Sequence, residues 1–463
     1  MRTQVLRPAL RFTSWLEQYL PDAFLFALLA TVLSLLLGSL WARAEWGPML
    51  DGWGKGFFSL LGFTLQMALI IILGHVVASA DAVARLLGRL GGLCQTARGA
   101  VAQVALLAML SSWLNWGFSL VFSAMLARAV ARRFAERGQK VDYRALAAAS
   151  FLGLGSIWAQ GLSGSAALQM ATPGALPPGL HGHGIPLSQT IFLWQSLLSV
   201  VIEVLVVTLL MWLIAPSEAT AVTAADLGCS LDPPTSTNPP ASEPPLPLRP
   251  GERPEHSPWL SAAFVLLALG FLWRSLRQAP SVLEAVNLNT INLFLLALGT
   301  ALHRTPARLQ RAFAAATPAV WGVILQFPFY GGIAGILASS GLNARIADLF
   351  VGAASQATLP PLVAAYSALL GVLVPSGGSK WLIEAPYVLA AAERLHVHAG
   401  WMVAVYDLGE ALANLIQPFW MLPVLGLLGL KARDVMRYTI LVFFVLTPLV
   451  LASTYALGLT LRP

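Results

Sequence analysis

Charged residues are scarce in this chain of 463 residues. Asp, Glu, Lys and Arg make up 11% of the sequence, whereas soluble domains carry roughly a quarter. Hydrophobic residues make up 57%, the mean hydropathy is +0.72, and there are 15 tryptophans. This composition excludes an ordinary soluble domain and indicates a polytopic protein whose main surroundings are the lipid bilayer.

Cysteine is nearly absent, and enzyme motifs are absent altogether. Cys94 and Cys229 lie far apart without metal-ligand spacing, which excludes a disulfide framework and a zinc site. The sequence contains no HExxH, Walker or GxSxG motif. A membrane serine protease would need a base in a long apolar helix, and only His75 is available. We therefore predict a protein that is not an enzyme and has no cofactor and no metal site, apart from a Na⁺ that could serve in coupling.

The formal net charge of +7 does not indicate a nucleic-acid partner, because the basic residues lie in short clusters between apolar stretches. Segments 128–144, 303–311 and 431–437 are rich in Arg and Lys, whereas 172–188 contain neither. Basic loops face the cytoplasm, so we predict the first three segments inside and the last outside. The same topology places Arg43, Lys55, Arg274 and Arg277 outside, which is contrary to the rule that basic residues face the cytoplasm.

An internal repeat divides the chain near residue 280. Each half contains two helices, an amphipathic segment, an interrupted apolar segment, a broken helix and a continuous helix. In the first half these elements are expected at 22–42, 57–79, 80–95, 101–130, 146–171 and 189–214. In the second half they are expected at 288–303, 313–338, 341–354, 360–393, 401–430 and 437–459. An extra helix at 258–274 joins the halves.

The interrupted segments of about 30 residues are short for two full spans but suit re-entrant hairpins. The predicted orientation opens the first hairpin to the cytoplasm and the second to the outside, so the repeats are inverted. We therefore predict an all-α polytopic membrane protein with two inverted repeats, each with a re-entrant hairpin and a discontinuous helix, and about nine full spans.

The predicted organisation has four parts: a first inverted repeat over 1–214, a cytoplasmic linker over 215–257, a linking helix over 258–280 and a second inverted repeat over 281–463. The linker contains ten prolines and six acidic residues, with only Arg249 and Arg253 as bases. It cannot bury a core, and we interpret it as a disordered tether, with partner binding as the alternative.

The second interruption carries Gly377 and Gly378 together with the donors Ser376, Ser379 and Lys380. An opened backbone beside a charge persists in a membrane only where it is buried in protein or lines a watery cavity, so this tip predicts a solute site. The alternative is that Lys380 reaches the outer interface and the serines cap a helix.

The first hairpin tip and the two broken helices are predicted to face the second tip. The tip contributes Asn115 and Trp116, and the breaks expose carbonyls and amides that could hold solute or Na⁺. The candidate residues in the breaks are Ser163, Ser165, Asn414 and Gln417. Close helix packing is the alternative explanation for the small residues of the first break.

Ionisable residues in the predicted spans are the candidates for ion coupling. Asp407 and Glu410 lie one helical turn apart ahead of the second break, and we predict them as coupling residues, with Glu410 first. Glu384 lies four residues after Lys380, so an ion pair between these two is a competing explanation. Glu410 has the same alternative, a purely structural pair with Lys380.

Several motifs together resemble the bacterial short-chain fatty acid transporter family. They are Leu20-Pro21-Asp22-Ala23-Phe24, Trp113-Leu114-Asn115-Trp116-Gly117, Pro375-Ser376-Gly377-Gly378-Ser379-Lys380-Trp381 and Asn414-Leu415-Ile416-Gln417-Pro418-Phe419-Trp420. The resemblance implies an ion-coupled carrier of the bacterial inner membrane for acetoacetate, butyrate or similar monocarboxylates. It also implies a homodimer, with helices at 22–79 and 288–338 as the scaffold.

The predicted function is a secondary active transporter for short-chain monocarboxylates, coupled to H⁺ or Na⁺. Helix N-termini and hydroxyls at the tips would bind the carboxylate, with Lys380 as the one full positive charge. One lysine suits one carboxylate, so a carrier for a dicarboxylate or an amino-acid derivative is the alternative.

Overall fold

The computed structural model describes residues 23–172, 174–177, 184–231, 249–374 and 376–461. Leu20, Pro21, Asp22 and Pro375 of the sequence motifs lie outside these residues. The described residues form α-helices joined by short 3₁₀ and π turns, and none of them lies in a β-strand. The helices of the first part are α1 (Ala23–Leu40), α2 (Trp46–Ser59), α3 (Leu61–Ala78), α4 (Asp81–Leu90), α5 (Ala97–Leu114), α6 (Trp116–Glu136), α7 (Tyr143–Leu152), α8 (Ser165–Ala171) and α9 (Trp194–Ile214).

The second part repeats long apolar helices separated by short ones. Its helices are α10 (Pro258–Gln278), α11 (Val282–Ala285), α12 (Leu288–His303), α13 (Pro306–Ala316), α14 (Trp321–Ser340), α15 (Leu342–Ala353), α16 (Leu359–Leu373), α17 (Gly377–Arg394), α18 (Ala399–Asn414), α19 (Leu422–Leu428) and α20 (Ala432–Gly458). Most predicted helices are present, but the sequence analysis missed α2 and α13 as separate helices.

Seven helical stretches of the described chain are long and apolar enough to cross a membrane, or eight with one bent pair. The bent pair is Ala399–Asn414 with Phe419–Leu428, at 72° to each other. This confirms an all-α polytopic membrane protein. The predicted number of about nine spans is higher because α1, α12 and α16 are apolar but shorter than a full span.

Glycines bring α2 and α14 into close contact. Gly52 and Gly56 of α2 face Gly331 and Gly335 of α14, and a Cβ atom on Gly56 would collide with the carbonyl group of Gly331. Small residues at such positions let two membrane helices approach and pack over a large area. The helix α14 also packs against α1 and α3, so α14 joins the other three helices into one packed group.

Both interrupted segments fold back on themselves, as predicted. The first turns at Asn115, and the hydroxyl of Ser119 on α6 donates to the carbonyl of Ala108 on α5 at 2.8 Å. The second turns before Gly377, and the hydroxyls of Tyr366 on α16 and Tyr387 on α17 lie 3.1 Å apart. Each segment is therefore a helical hairpin with its interruption at the tip.

Both predicted broken helices are also broken in the structure. The helix α7 passes into a π turn at Gly153–Ile157 and a 3₁₀ turn at Trp158–Gln160, and α8 starts after an unwound stretch. The helix α18 ends at Asn414, where the chain bends before the 3₁₀ turn Phe419–Met421. The described irregular backbone of the two hairpins and the two broken helices is buried or half-buried.

The described start of the predicted linker forms hydrogen bonds with the helices. The N–H of Val222 donates to Asp142 Oδ2 at 3.1 Å, and the N–H of Tyr143 donates to the Val222 carbonyl at 2.8 Å. Arg128 donates to the Ser230 carbonyl at 3.1 Å. Residues 222–231 therefore lie along the protein, because buried polar groups of α6 and α7 bind their backbone. The rest of the proline-rich stretch, 232–248, lies outside the described residues.

Candidate substrate site

A narrow cleft lies where the two hairpin tips, the two broken helices and the supporting helices α3 and α14 meet. Its empty volume is about 370 Å³, and its free interior admits little more than a water molecule. The cleft is lined by Met67, Ile71, Trp116, Leu154, Trp158, Ser165, Val323, Phe327, Ser376, Gly377, Gly378, Asn414 and Trp420. The structure thus brings together four segments that the sequence analysis predicted to face one another.

The second hairpin tip presents the start of a helix to the cleft. Because α17 begins at Gly377, its first N–H groups have no acceptor within the helix. The carbonyl of Gly377 accepts a hydrogen bond from the Tyr406 hydroxyl at 2.7 Å, which fixes the tip on α18. Ser376 and Ser379 are buried, and Ser376 lines the cleft whereas Ser379 does not. Backbone donors and a positive helix end make this tip suited to an anion.

The first hairpin tip is closed by its own hydrogen bonds. Asn115 is the N-cap of α6 and accepts the N–H of Phe118 at 2.7 Å. The N–H of Trp116 donates to the hydroxyl of Ser163 at 2.9 Å, so the tip is tied to the first broken helix. Asn115 and Ser163 do not line the cleft, and Trp116 reaches it through its side chain.

Two amide side chains at the second break form hydrogen bonds within the break and with the first broken helix. Asn414 donates to the carbonyl of Leu154 at 3.2 Å, and Gln417 donates to Asn414 at 2.8 Å. Gln417 also accepts the N–H of Phe419 at 2.7 Å. Asn414 lines the cleft, while Gln417 lies behind it. Of the two serines predicted in the first break, Ser165 lines the cleft and Ser163 holds Trp116.

Lys380 lies one helical turn behind the second tip and is almost completely buried. Its ammonium is 2.7 Å from Glu410 Oε2 and 3.8 Å from Glu384 Oε1. It donates to the carbonyl and the hydroxyl of Ser367 at 2.6 and 2.9 Å. Lys380 neither reaches an interface nor lines the cleft, because these partners hold it. Its direct contact with a carboxylate substrate stays a prediction.

Asp407 connects the second repeat to the first broken helix. Its Oδ2 atom accepts the N–H of Ala166 at 3.1 Å, in the first turn of α8. A carboxylate is stabilised there by the unpaired N–H groups and the helix dipole. Glu410 lies one turn further along α18 beside Lys380, and both acids are fully buried. Their role in coupling stays a prediction, and the structure adds a capping role for Asp407.

The apolar wall of the cleft contains residues that sequence reasoning missed. Trp158 and Leu154 come from the first broken helix, while Val323 and Phe327 come from α14. Trp116 packs edge-on against Trp420 with ring centroids 5.2 Å apart. Only their position in apolar helices could have pointed to these residues, and dozens of other residues share that signal. The tip motifs contain Trp113, Trp116 and Trp381, and of these only Trp116 lines the cleft.

A wider cavity lies beyond the cleft, between α2, α3, α14 and residues 174–176. Its empty volume is about 1630 Å³, and Asp51, Lys55 and Gln66 are among its polar lining residues. Phe63 also lines this cavity and stacks on Phe327 of the cleft with centroids 5.9 Å apart. These two rings therefore separate the wide cavity from the narrow cleft.

Comparison with known proteins places the chain in a family. The family model described as short chain fatty acid transporter matches residues 5–457. A protein of Escherichia coli (strain K12) is 35% identical over 97% of this chain and 98% of its own length. One of Haemophilus influenzae is 30% identical over 96% and 98%. Both carry the name "Putative short-chain fatty acid transporter".

Two solved transporters share the fold. The crystal structure of YdaH from Alcanivorax borkumensis, described as having an unusual topology, matches with a TM-score of 0.56 at 16% identity over 94% of this chain and 97% of its own. Neisseria gonorrhoeae MtrF, described as illuminating a class of antimetabolite efflux pumps, matches with a TM-score of 0.56 at 15% identity over 97% and 96%. The family model and the two relatives show that this chain belongs to the short-chain fatty acid transporter family.

Proposed function

We propose that this chain is a secondary active transporter for short-chain monocarboxylates such as acetoacetate and butyrate, coupled to H⁺ or Na⁺, in the bacterial inner membrane. The family supports the substrate class. The observation that carries the proposal is the cleft, where the start of α17 faces an apolar wall. One end of the cleft suits a carboxylate group and the other a short carbon tail.

The carboxylate of the substrate would bind at the second hairpin tip. The N–H groups of Gly377 and Gly378 and the hydroxyl of Ser376 are the nearest donors on α17, and Ser165 adds a hydroxyl from α8. Hydrogen bonds to a charged carboxylate are about twice as strong as neutral ones. Asn414 completes this polar end of the cleft.

The tail of the substrate would contact Met67, Ile71, Val323 and Phe327, which lie on the supporting helices α3 and α14. Burial of each CH₂ group contributes about 0.8 kcal/mol, so a few carbons suffice for useful affinity. Because the cleft is narrow, loading requires the tips and the supporting helices to separate. Alternating access between two inverted repeats would supply that motion.

Coupling to a cation is supported by the charges behind the second tip. Glu384, Asp407 and Glu410 are fully buried, and Lys380 is the only base that contacts any of them among the described residues. Three acids and one base leave excess negative charge in a place where uncompensated charge is costly. A proton or Na⁺ at Glu410 or Asp407 would neutralise part of it while the substrate binds beside Gly377.

The alternative substrate, a dicarboxylate or an amino-acid derivative, would need a second charged partner. None of the described residues that line the cleft is a Lys, Arg, Asp, Glu or His. This favours a substrate with a single carboxylate. The homodimer and the division into repeats at 1–214 and 281–463, joined by 215–257 and 258–280, are further parts of the proposal.

The test is transport by the purified full chain in proteoliposomes. Uptake of labelled butyrate and acetoacetate would be measured under an imposed pH gradient or an imposed Na⁺ gradient, with succinate as the dicarboxylate control. We expect one gradient to drive monocarboxylate uptake and succinate to remain outside. Efflux of the same acids from preloaded vesicles would be measured as well. Transport of neither acid in either direction would refute the proposal.

A further inference from the structure

A second buried acid lies away from the Lys380 cluster. Glu203 is in the middle of α9, and 2% of its surface is exposed. None of the ion pairs between described residues includes it. A carboxylate in a membrane-spanning helix is costly when it is ionised and has no positive partner. Glu203 therefore needs some other source of neutrality.

The hydrogen bonds around Glu203 leave one position open. Its Oε1 atom accepts from Gln160 Nε2 at 2.8 Å and from the Ser199 hydroxyl at 3.0 Å. Its Oε2 atom is buried and has no donor, and the Oε1 atom of Gln160 is buried without a donor as well. Both unsatisfied atoms are acceptors, and they belong to two groups that are already joined by one hydrogen bond.

A single proton would satisfy both atoms. On Glu203 Oε2 it removes the charge and makes the carboxyl group a donor to the amide oxygen of Gln160. The acid and the amide would then form two complementary hydrogen bonds, one in each direction. We propose that Glu203 is a proton-binding site that pairs, as a neutral acid, with the amide of Gln160.

Charged groups on the neighbouring helices do not offer an alternative partner. On α5, Arg98 lies over the ring of Trp212, 6.0 Å from its centroid. On α20, Arg437 pairs with Asp434 at 3.6 Å and Tyr438 donates to Asp142. The remaining charged or titratable residues of α20, Arg433 and Tyr455, have no ion pair or hydrogen bond with Glu203 among the described contacts. The π and 3₁₀ turns before the first break contact Glu203 through Gln160, whose side chain is neutral.

A polar face of α9 gives the proton a route to one end of the helix. Gln195, Ser196, Ser199 and Glu203 lie on one side at helical spacing, and all are buried in a helix whose other side is apolar and exposed. Ser196 donates to the carbonyl of Thr190 at 2.7 Å, at the start of the helix. The loop before it lacks basic residues and is predicted outside. The proton therefore exchanges with the outer side.

The proton at Glu203 bears directly on the substrate cleft. Gln160 ends the 3₁₀ turn Trp158–Gln160, which contributes Trp158 to the cleft and precedes the unwound stretch before Ser165. Loss of the proton would put an ionised acid against the Gln160 carbonyl oxygen and break this pairing. This site lies outside the proposed coupling residues Glu410 and Asp407.

Infrared difference spectroscopy on the full chain in liposomes tests the site without transport. We expect the native protein to show, at neutral pH, a carbonyl band of a protonated acid that disappears in Glu203→Gln and persists in the control Glu410→Gln. Because glutamine can keep both hydrogen bonds to Gln160, Glu203→Gln should fold normally. If Glu203→Gln leaves every protonated-acid band unchanged, Glu203 is ionised and the proposal fails.

Two further variants test the pairing and the route. Gln160→Leu removes the amide acceptor, so the same band should shift to higher frequency, as for a weaker hydrogen bond. Ser199→Ala should slow the deuterium exchange of the band by several-fold. An unshifted band would overturn the pairing with Gln160, and unchanged exchange would overturn the route along α9. The spectra do not depend on uptake, so failure of butyrate transport leaves this result standing.

Discussion

The two hairpin tips have the same architecture, but they differ in whether the first N–H groups of the following helix are hydrogen-bonded. At the first tip, Asn115 caps α6 and Ser163 binds the next N–H group. At the second tip, Ser376 precedes α17 without a capping hydrogen bond from its side chain. An N-cap bond stabilises a helix by about 1 kcal/mol, so its absence leaves donors available at some cost. The first tip uses its donors to hold the structure together, whereas the second tip keeps uncapped N–H groups, where we propose that the substrate binds.

The positions one turn behind the tips differ in the same way. Ser119 lies four residues after Asn115 and forms neutral hydrogen bonds with Ala108 and Ser111. Lys380 lies four residues after Ser376 and contacts two buried carboxylates. Equivalent places in the two hairpins therefore carry a neutral packing contact in one case and a buried charge cluster in the other.

The largest effect is expected from removal of the charge behind the second tip. Lys380→Ala leaves Glu410 buried without its partner, which costs about 3–5 kcal/mol in folding free energy. We expect lower thermal stability in detergent and no uptake. The double variant Lys380→Ala/Glu410→Gln should recover most of the stability without recovering uptake. If Lys380→Ala keeps native stability and transport, the charge cluster has neither role.

An intermediate effect is expected where the second tip meets the cleft. A Cβ atom at Gly378 would lie 3.2 Å from the Cβ of Ser165 and 3.4 Å from the ring of Phe63. We expect Gly378→Ala to raise KM for butyrate about tenfold, equivalent to about 1.4 kcal/mol, with little loss of stability. Gly54→Ala is the matched control, because a Cβ there meets open space. If both variants have the same KM for butyrate, the second tip does not contact the substrate.

The smallest effects are expected from substitutions at the two N-cap positions, which should change stability at the first tip and KM at the second. Asn115→Ala should lower stability by about 1 kcal/mol and leave KM unchanged, whereas Asn115→Ser retains a neutral capping oxygen and should behave like the native chain. Ser376→Ala should do the opposite, raising KM without a measurable loss of stability. Thermal unfolding and uptake kinetics on the three variants would decide. If Asn115→Ala and Ser376→Ala change stability and KM in the same way, the two tips do not differ in function.

The order of helices was predictable because hydrophobic runs and their interruptions are long-range features of the sequence. The prediction for 288–303 coincides with α12, and the breaks near Ser163 and Asn414 are where they were expected. The helix α2 was missed because its four glycines and a proline lower helix propensity, and only close packing on α14 stabilises it.

The site was predictable only in part. Sequence pattern indicated which segments meet, since polar residues in apolar spans are costly and cluster in the interior. It could not indicate which donors remain free. Asn115 and Lys380 are both polar residues at a tip, yet one is used by its own helix and the other by Glu410. Such competition between partners depends on packing in three dimensions.

The ring pair Phe63 and Phe327 has a kinetic consequence. Phe63 lies close to the second tip, because a Cβ atom on Gly378 would come within 3.4 Å of its ring. Under alternating access, each turnover must part this contact and wet the surfaces that it buries, at roughly 25 cal/mol for each Å² of apolar area. Glycine keeps that area small, so we expect a low activation barrier for separating the ring from the tip. A larger residue there would slow turnover even for a substrate that binds well.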